Sequence, residues 1–571
     1  MGVHSARRDA VTLNAALERF FAQYYLRHPV NATFTGVHEY DRLLPDWSIA
    51  ARALEATELR ALRLELEAAH PEAEATPAAL RADSSALDAA LARANLDVRL
   101  AEHASGFFHD RNPALWTGEA IFGAVSLMIR PVASVGERCS ALRDRLAAVP
   151  AFLGAMRLVG NQAVPARWVE RAQRECRAAV QLFGPGLELW LRESRAQGHA
   201  DVRAAATSAR AAFASCDAWL STLPAADDCA CSAGESLFAA LLQRGHFCTE
   251  TPAQLLSRAT RELAAEQERL REMLARVAGS WSDLSAMLAA DHPSADGYLS
   301  TFHAKWEACR AHVVEHELVT WPGTPDWLLR YAPIHPWACE AAPQLYWLFY
   351  RSPAPFDPYS VHDYLVSPVD ASLEPAEQER RLRAWNHSTI TLNHIVHHGA
   401  IGHHVQNWHA RHRSRSRTGA IAATDCASRI GMFLGGSMAE GWACYATDLM
   451  DETGFLTPLE QVAQQHSRVR MLARAIVDIR LHTASFTVGE AAAFYHAEVA
   501  MAPEVAAAET TKNSMFPCTA VMYWLGTSTI HALREQVRAQ RGGAFRLREF
   551  HDELLGWGAI PVQLAAQMMT A

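Results

Sequence analysis

The sequence predicts a mainly α-helical protein with little β-structure, and three observations carry that expectation. Helix start and stop signals bracket long amphipathic runs through most of the first 320 residues. Strand-like alternation is scarce along the whole chain. No self-similarity of fixed period appears, so a solenoid or propeller is not expected. At 571 residues the chain is too long for one ordinary core, and two or more packed units are expected.

In chain order, the Ala-rich stretch Asp201 to Leu223 reads as a helix that Pro224 stops. Thr251 and Pro252 then open a second helix as cap and first helical residue, and Gly279 lies just past its end. Leu255, Leu263, Leu270 and Leu274 form its apolar stripe. Residues 1–320 are therefore read as an N-terminal helical region. Between Trp321 and Pro368 the character changes, because nine of the 26 prolines sit there among aromatics such as Trp327, Tyr331, Trp337, Tyr346, Trp347, Tyr350, Phe356 and Tyr364. Prolines at that density do not sustain a helix, and so many aromatics favour burial. Residues 321–370 are expected to be a packed connector, with the aromatics as core. Helix resumes in a site-bearing region over 371–571, with Glu377 to His397 read as one helix.

Half the residues are hydrophobic, a fifth are charged, and the net charge is −9, which suits a globular enzyme and not a nucleic-acid binder. The basic run Arg411 to Arg417 is the local exception, able to meet an anionic group. Eleven cysteines without framework spacing read as reduced thiols in a cytoplasmic protein, and the pair Cys229 and Cys231 has no second pair to complete a metal site. No run of ~20 apolar residues is present, so no membrane-spanning helix is expected. A small-molecule substrate, a protein partner or a second copy of the chain remain as partners.

The densest chemistry lies at His394, His397, His398, His403, His404, His409 and His412, seven of the 27 histidines within nineteen residues. Average usage would place about one there. Imidazole is both the commonest metal ligand and the acid–base group that titrates near neutrality. On a regular helix zinc-binding histidines stand four apart. His397 and His404 share a stripe but are about 10 Å apart, whereas His397 and His403 face different ways unless the helix breaks. Gly399 and Gly402 make a break affordable. Spacing alone leaves the ligand set open. Downstream, Met438 to Gly454 supplies Glu440.

The stretch His397-His398-Gly399-Ala400-Ile401-Gly402-His403-His404-Val405-Gln406, followed by Glu440-Gly441-Trp442-Ala443-Cys444-Tyr445-Ala446-Thr447, resembles the signature of the bacterial metallopeptidase-like family known as domain of unknown function 885. That signature reads His-Glu-x-x-Pro-Gly-His-(His/Tyr)-x-Gln, then Glu-Gly-Trp-Ala-x-Tyr-x-Glu. Other matching segments run in order, from RHPVNATFTGVHEYDRLLPDWS through DYLVSPVD to Ala473–His482, Ala520–Gly526 and Leu547–Leu564. The resemblance implies a large multi-helix, zinc-peptidase-like fold. It also implies His397, His403 and Glu440 as metal ligands with zinc as cofactor, although a repurposed site could stand empty. Tyr523 and His482 match positions expected near substrate, and Gln406 and Arg480 are expected to bind it.

Three departures alter the chemistry implied. The glutamate beside the first ligand is His398, the proline is Ile401, and the last glutamate is Thr447. In a zinc hydrolase the first glutamate takes the proton from bound water, and losing such a group costs ~100- to 10,000-fold in rate. The leading expectation is therefore a diverged, non-hydrolytic enzyme. It would catalyse intramolecular substitution, elimination or transfer on a small anionic amino-acid-derived substrate, as in secondary metabolism, with His398 as acid/base. The alternatives are a zinc-dependent peptidase or amidohydrolase using His398 or His404 as base, and a non-catalytic scaffold subunit.

Overall fold

The computed structural model describes residues 12–571 apart from 160–162, 197, 227–230, 324–326, 340–353, 358–360, 370–371 and 422–435. Cys229, Tyr346, Trp347 and Tyr350 lie outside the described residues. The rest is overwhelmingly helical, as the sequence predicts. Strand is confined to a two-residue parallel pair, Val164–Pro165 with Ala225–Ala226, and one longer pair described below.

Helix α1 (Pro113–Ile129) is buried on nearly every side and anchors the larger core with Trp116 and Ile121. Helix α2 (Pro252–Val277) follows from its local signals. The Thr251 side chain accepts from the Gln254 amide while Gln254 caps the Thr251 N–H, and Leu255, Leu263, Leu270 and Leu274 are buried. Helix α3 (Tyr298–Glu315) leads into strand β1 (Leu328–Pro333), which pairs in parallel with β2 (Val361–Val366) in the register Leu328↔Val361 to Pro333↔Val366. Trp327, Tyr331, Trp337 and Tyr364 are buried, while Phe356 is exposed.

The single helix expected from Glu377 to His397 is instead interrupted. Helix Pro375–Ala384 stops at Trp385, and Asn386 caps a new start by accepting from the Thr389 amide. The chain then runs as a wide π-helix over Ile390–Gly399. Helices α4 (His403–Arg413), α5 (Gly436–Glu452), α6 (Pro458–His482), α7 (Pro503–Met515) and α8 (Val521–Arg541) follow. Packing crosses the sequence boundaries at 320 and 370. One core joins Leu87 and Leu91 to Phe302, Tyr331, Tyr364, Trp442 and Leu564, and another joins Trp116 and Leu255 to Trp524. Among the described residues no helix is long and apolar enough to cross a membrane.

Candidate functional site

The histidine motif is built on a broken helix. A π-turn holds one more residue than an α-turn, which rotates the following side chains and places His397 and His398 out of α-helical phase. The Ala400 amide reaches back to Ile395 O (2.8 Å) and the Gly402 amide to Val396 O (2.9 Å), before α4 restarts at His403. Two glycines are obligatory for closeness. A Cβ on Gly402 would lie 1.8 Å from the His397 carbonyl oxygen, and one on Gly399 would lie 2.0 Å from the Tyr331 hydroxyl.

A broken helix in a protein interior must find donors for its carbonyls. Here aromatic side chains supply them. Tyr331 Oη donates to His394 O (2.9 Å), Trp306 Nε1 to Gly399 O (2.6 Å), Trp442 Nε1 to Ile401 O (2.8 Å) and Trp327 Nε1 to His404 O (3.0 Å). Trp327 and Tyr331 of the connector thus have a specific task, joined by Trp306 of α3 and by the tryptophan of the Glu-Gly-Trp motif. Gly441 of that motif lets α5 cross α8 tightly, since a Cβ there would lie 2.6 Å from the Gly526 Cα.

These contacts bring His397, His398, His403 and Glu440 together. The rings of His397 and His403 are 4.9 Å apart, those of His397 and His398 are 4.7 Å apart, and those of His398 and His403 are 5.3 Å apart. One ligand nitrogen from each histidine lies within 4.8 Å of the other two. Glu440 Oε2 is 3.2 Å from His397 Nε2 and 3.6 Å from His403 Nε2, yet it is buried and accepts no well-aligned hydrogen bond. His398 Nδ1 donates to Asn393 O (2.7 Å), which leaves Nε2 as the basic nitrogen of the neutral ring.

The electrostatics favour the neutral form of His397 and His398 and the ionised form of Glu440. Burial is the largest influence on His397 and lowers it, with His403 adding to the effect; burial, then His397 and His403, hold His398 well below the usual histidine range. Burial alone would raise Glu440, but His403 and His397 override it and keep the carboxyl well below its ordinary value. Imidazole nitrogens and a carboxylate oxygen are donor types that a divalent transition metal takes. By proximity the group able to hold an ion is His397, His398 and His403, with the Glu440 carboxylate beside His397 and His403, and these donors suit zinc in chemistry. The Cys444 Sγ lies 4.0 Å from His397 Nδ1, on the side of the ring away from Glu440, and burial keeps it a thiol.

Other residues singled out from the sequence are placed differently. Tyr523 lies within electrostatic reach of Glu440 and stays a phenol because of burial. His404 is buried against Trp327 and His362, with Nε2 3.4 Å from Trp327 O, and burial pushes it down to about 4. His482 has both nitrogens committed to backbone: Nε2 donates to Asn513 O (3.0 Å) and Nδ1 accepts from the Ala233 amide (3.2 Å). Gln406 is buried with its amide nitrogen unpartnered. Arg480 lies over the Phe486 ring at 4.7 Å. Three of the four arginines of the basic run are engaged, with Arg411 on the Asp357 carbonyl, Arg413 near Asp552 at 3.5 Å and Arg417 on Glu18, while Arg415 is exposed. Sequence reasoning missed Cys444, Arg470, Arg474 and Glu509. The one signal available was spacing, since Cys444 is four residues beyond Glu440 and Arg474 four beyond Arg470.

No curated protein matches the chain. Solved structures share its fold, among them the following two. One is described as "a putative lipoprotein of unknown function from Shewanella oneidensis", with a TM-score of 0.74 and 18% identity over 98% of this chain and 100% of that one. The other is described as a "putative lipoprotein from Colwellia psychrerythraea", with a TM-score of 0.73 and 15% identity over 98% of each chain. The profile described as "Bacterial protein of unknown function (DUF885)" matches residues 29–569, and the chain belongs to that family.

Proposed function

We propose that the chain is an enzyme of metallopeptidase-like ancestry whose active centre is His397, His403 and Glu440, with His398 as acid/base in non-hydrolytic chemistry on a small substrate. The observation that carries this reading is the Glu440 carboxylate. It is buried between two imidazoles, without a well-aligned hydrogen bond, next to a third imidazole at the position where the family signature has glutamate. His397, His403 and Glu440 would hold a zinc ion, which supplies Lewis-acid polarisation of a substrate oxygen when bound.

The residues themselves favour proton transfer over hydrolysis. Glu440 would be taken up as a metal ligand beside His397 and His403, and Glu509 is paired with Arg474 at 2.7 Å, so neither carboxylate is assigned the role of base toward water. His398 Nε2 is the remaining base, and its tautomer is set by the bond from Nδ1 to Asn393 O. It can take a proton from a substrate N–H, O–H or acidified C–H. The electron pair left behind then forms the new bond as the leaving group departs with its own pair, which describes an intramolecular substitution or elimination. Tyr523, within electrostatic reach of Glu440 and kept a phenol by burial, is a hydrogen-bond donor available to the same centre. The nine cysteines of the described residues are free thiols, which supports a reducing compartment such as the cytoplasm for this activity.

The test is His398→Glu, assayed by mass spectrometry against a mixed pool of peptides and N-acyl amino acids. The wild type is expected to leave the pool intact, and the variant to gain slow amide hydrolysis while retaining its metal. Efficient wild-type hydrolysis that the variant only increases would overturn the non-hydrolytic reading.

A further inference from the structure

Helix α5 brings two side chains to one imidazole. Glu440 and Cys444 are four residues apart on it, one turn from each other on the same face. Glu440 Oε2 stands 3.2 Å from His397 Nε2, and Cys444 Sγ stands 4.0 Å from Nδ1 of the same ring. A single turn of helix therefore meets this ring at both nitrogens. Among the described residues no carbonyl or other side chain bonds His397 Nδ1. Cys444 is 2% exposed and lies three residues beyond Gly441, where α5 crosses α8.

A histidine that gives one ring nitrogen to a metal carries its proton on the other, and an acceptor for that N–H fixes both tautomer and ring orientation. For His398 such an acceptor is the Asn393 carbonyl at 2.7 Å. For His397 the atom in that place is a sulfur. The same geometry removes the other roles open to this cysteine. It meets the ring at the nitrogen away from Glu440, and the ligand atoms that converge belong to His397, His398 and His403, so the sulfur is not a further ligand. Buried behind the ring and unpaired with any cysteine, it is neither a nucleophile nor half of a disulfide. It also occupies an unspecified position of the Glu-Gly-Trp-Ala-x-Tyr-x-Glu signature, so the role is particular to this chain.

We propose that Cys444 is a positioning residue of the centre, whose sulfur accepts the Nδ1–H of His397 and so holds the Nε2 lone pair toward Glu440 and His403. It rests on reading His397, His403 and Glu440 as metal ligands. Sulfur is a weak acceptor, so it orients the ring while adding little to the basicity of Nε2. A metal held through such a ligand keeps more of its Lewis acidity than one held through an imidazole bonded to a carboxylate.

The test is competition for zinc and for cobalt against a chromogenic chelator, on the full chain. Wild type, Cys444→Val, Cys444→Ala, Cys444→Ser and His403→Ala are compared. Valine is close to cysteine in bulk and alanine is smaller, and neither has an acceptor. Both are expected to weaken each metal about 10-fold, the lower end of the range for a lost orienting group. Serine restores an acceptor and is expected to fall between them and the wild type. Proton NMR of the cobalt-loaded protein supplies a readout that packing alone does not move, because the ion shifts the ring N–H signals of bound histidines away from the rest. One of these signals is expected to exchange faster with water in the valine and alanine variants and to stay slow in serine. Affinity that follows bulk, with valine like the wild type and alanine weaker, would overturn the assignment, as would unchanged N–H signals in both. Metal uptake that is normal in every Cys444 variant overturns this assignment alone. A wild type that takes up neither metal overturns the metal centre, and this assignment with it.

Discussion

Gly402→Ala is the most direct perturbation of the helix break. A Cβ there would stand 1.8 Å from the His397 carbonyl oxygen and 2.6 Å from that of Val396, whereas ordinary contact begins near 3.4 Å. The backbone of His397 must retreat by about 1.5 Å, because both neighbours are main chain in a close-packed interior and neither is a flexible tip. Metal–nitrogen bonds tolerate only about ±0.2 Å. The movement therefore takes the His397 ring out of coordinating range or strains the α4 start that carries His403. Disturbing groups that only orient a ligand already costs ~10- to 100-fold in metal affinity, and the expected loss is at the upper end of that range or beyond. The assay is competition for zinc against a chromogenic chelator, with circular dichroism to check that the helices remain. Gly154→Ala is the control, because that glycine is helical with nothing within 4 Å of an added Cβ. The control should bind zinc normally and gain up to about 1 kcal/mol in stability. Wild-type zinc affinity in Gly402→Ala would refute the argument that the break positions the ligands.

Two further predictions address the frame. Trp442→Phe removes the donor to the buried Ile401 carbonyl (2.8 Å) and should cost about 1–3 kcal/mol in denaturant unfolding, with weaker zinc binding; unchanged stability would show that the carbonyl finds another donor. His38 is held protonated up to about 9 by its hydrogen bond to Asp357 and then by Asp41, against an ordinary value of 6.5. A folded-state value above the unfolded one gives stabilisation that is complete below about 6.5 and lost as pH rises through about 9. His38→Gln should flatten that part of the stability profile, and an unaltered profile would exclude the pair as its cause.

The parts of this molecule that are legible in sequence are those whose causes are local. Thr251, Pro252 and Gln254 are adjacent in the chain, so the start of α2 is written there, and so is the apolar stripe from Leu255 to Leu274. The convergence of His397, His403 and Glu440 was expected only through resemblance, because regular spacing separates the two histidines. What closes the gap is a π-helix whose exposed carbonyls are met by Trp306, Tyr331 and Trp442, up to 93 residues away in sequence. No local signal predicts such donors. The helix read through Glu377 to His397 failed for a related reason, since Asn386 acts as a cap inside a stretch that otherwise has helical composition. Arg470 was invisible because one arginine among several on α6 looks like a solvated face. Its distinction is that Arg468 and Arg474 form ion pairs with Asp448 and Glu509, whereas among the described residues Arg470 makes no direct ion pair.

The central claim is that His397, His403 and Glu440 form a working metal centre, and metal analysis of the purified full chain beside His403→Ala tests it most directly. The account predicts about one equivalent of zinc or a similar divalent ion in the wild type, replaceable by cobalt with a tetrahedral-type absorption spectrum, and its loss in the variant. A wild-type chain that arrives metal-free and takes up neither zinc nor cobalt, or a variant that retains its full equivalent, would contradict it.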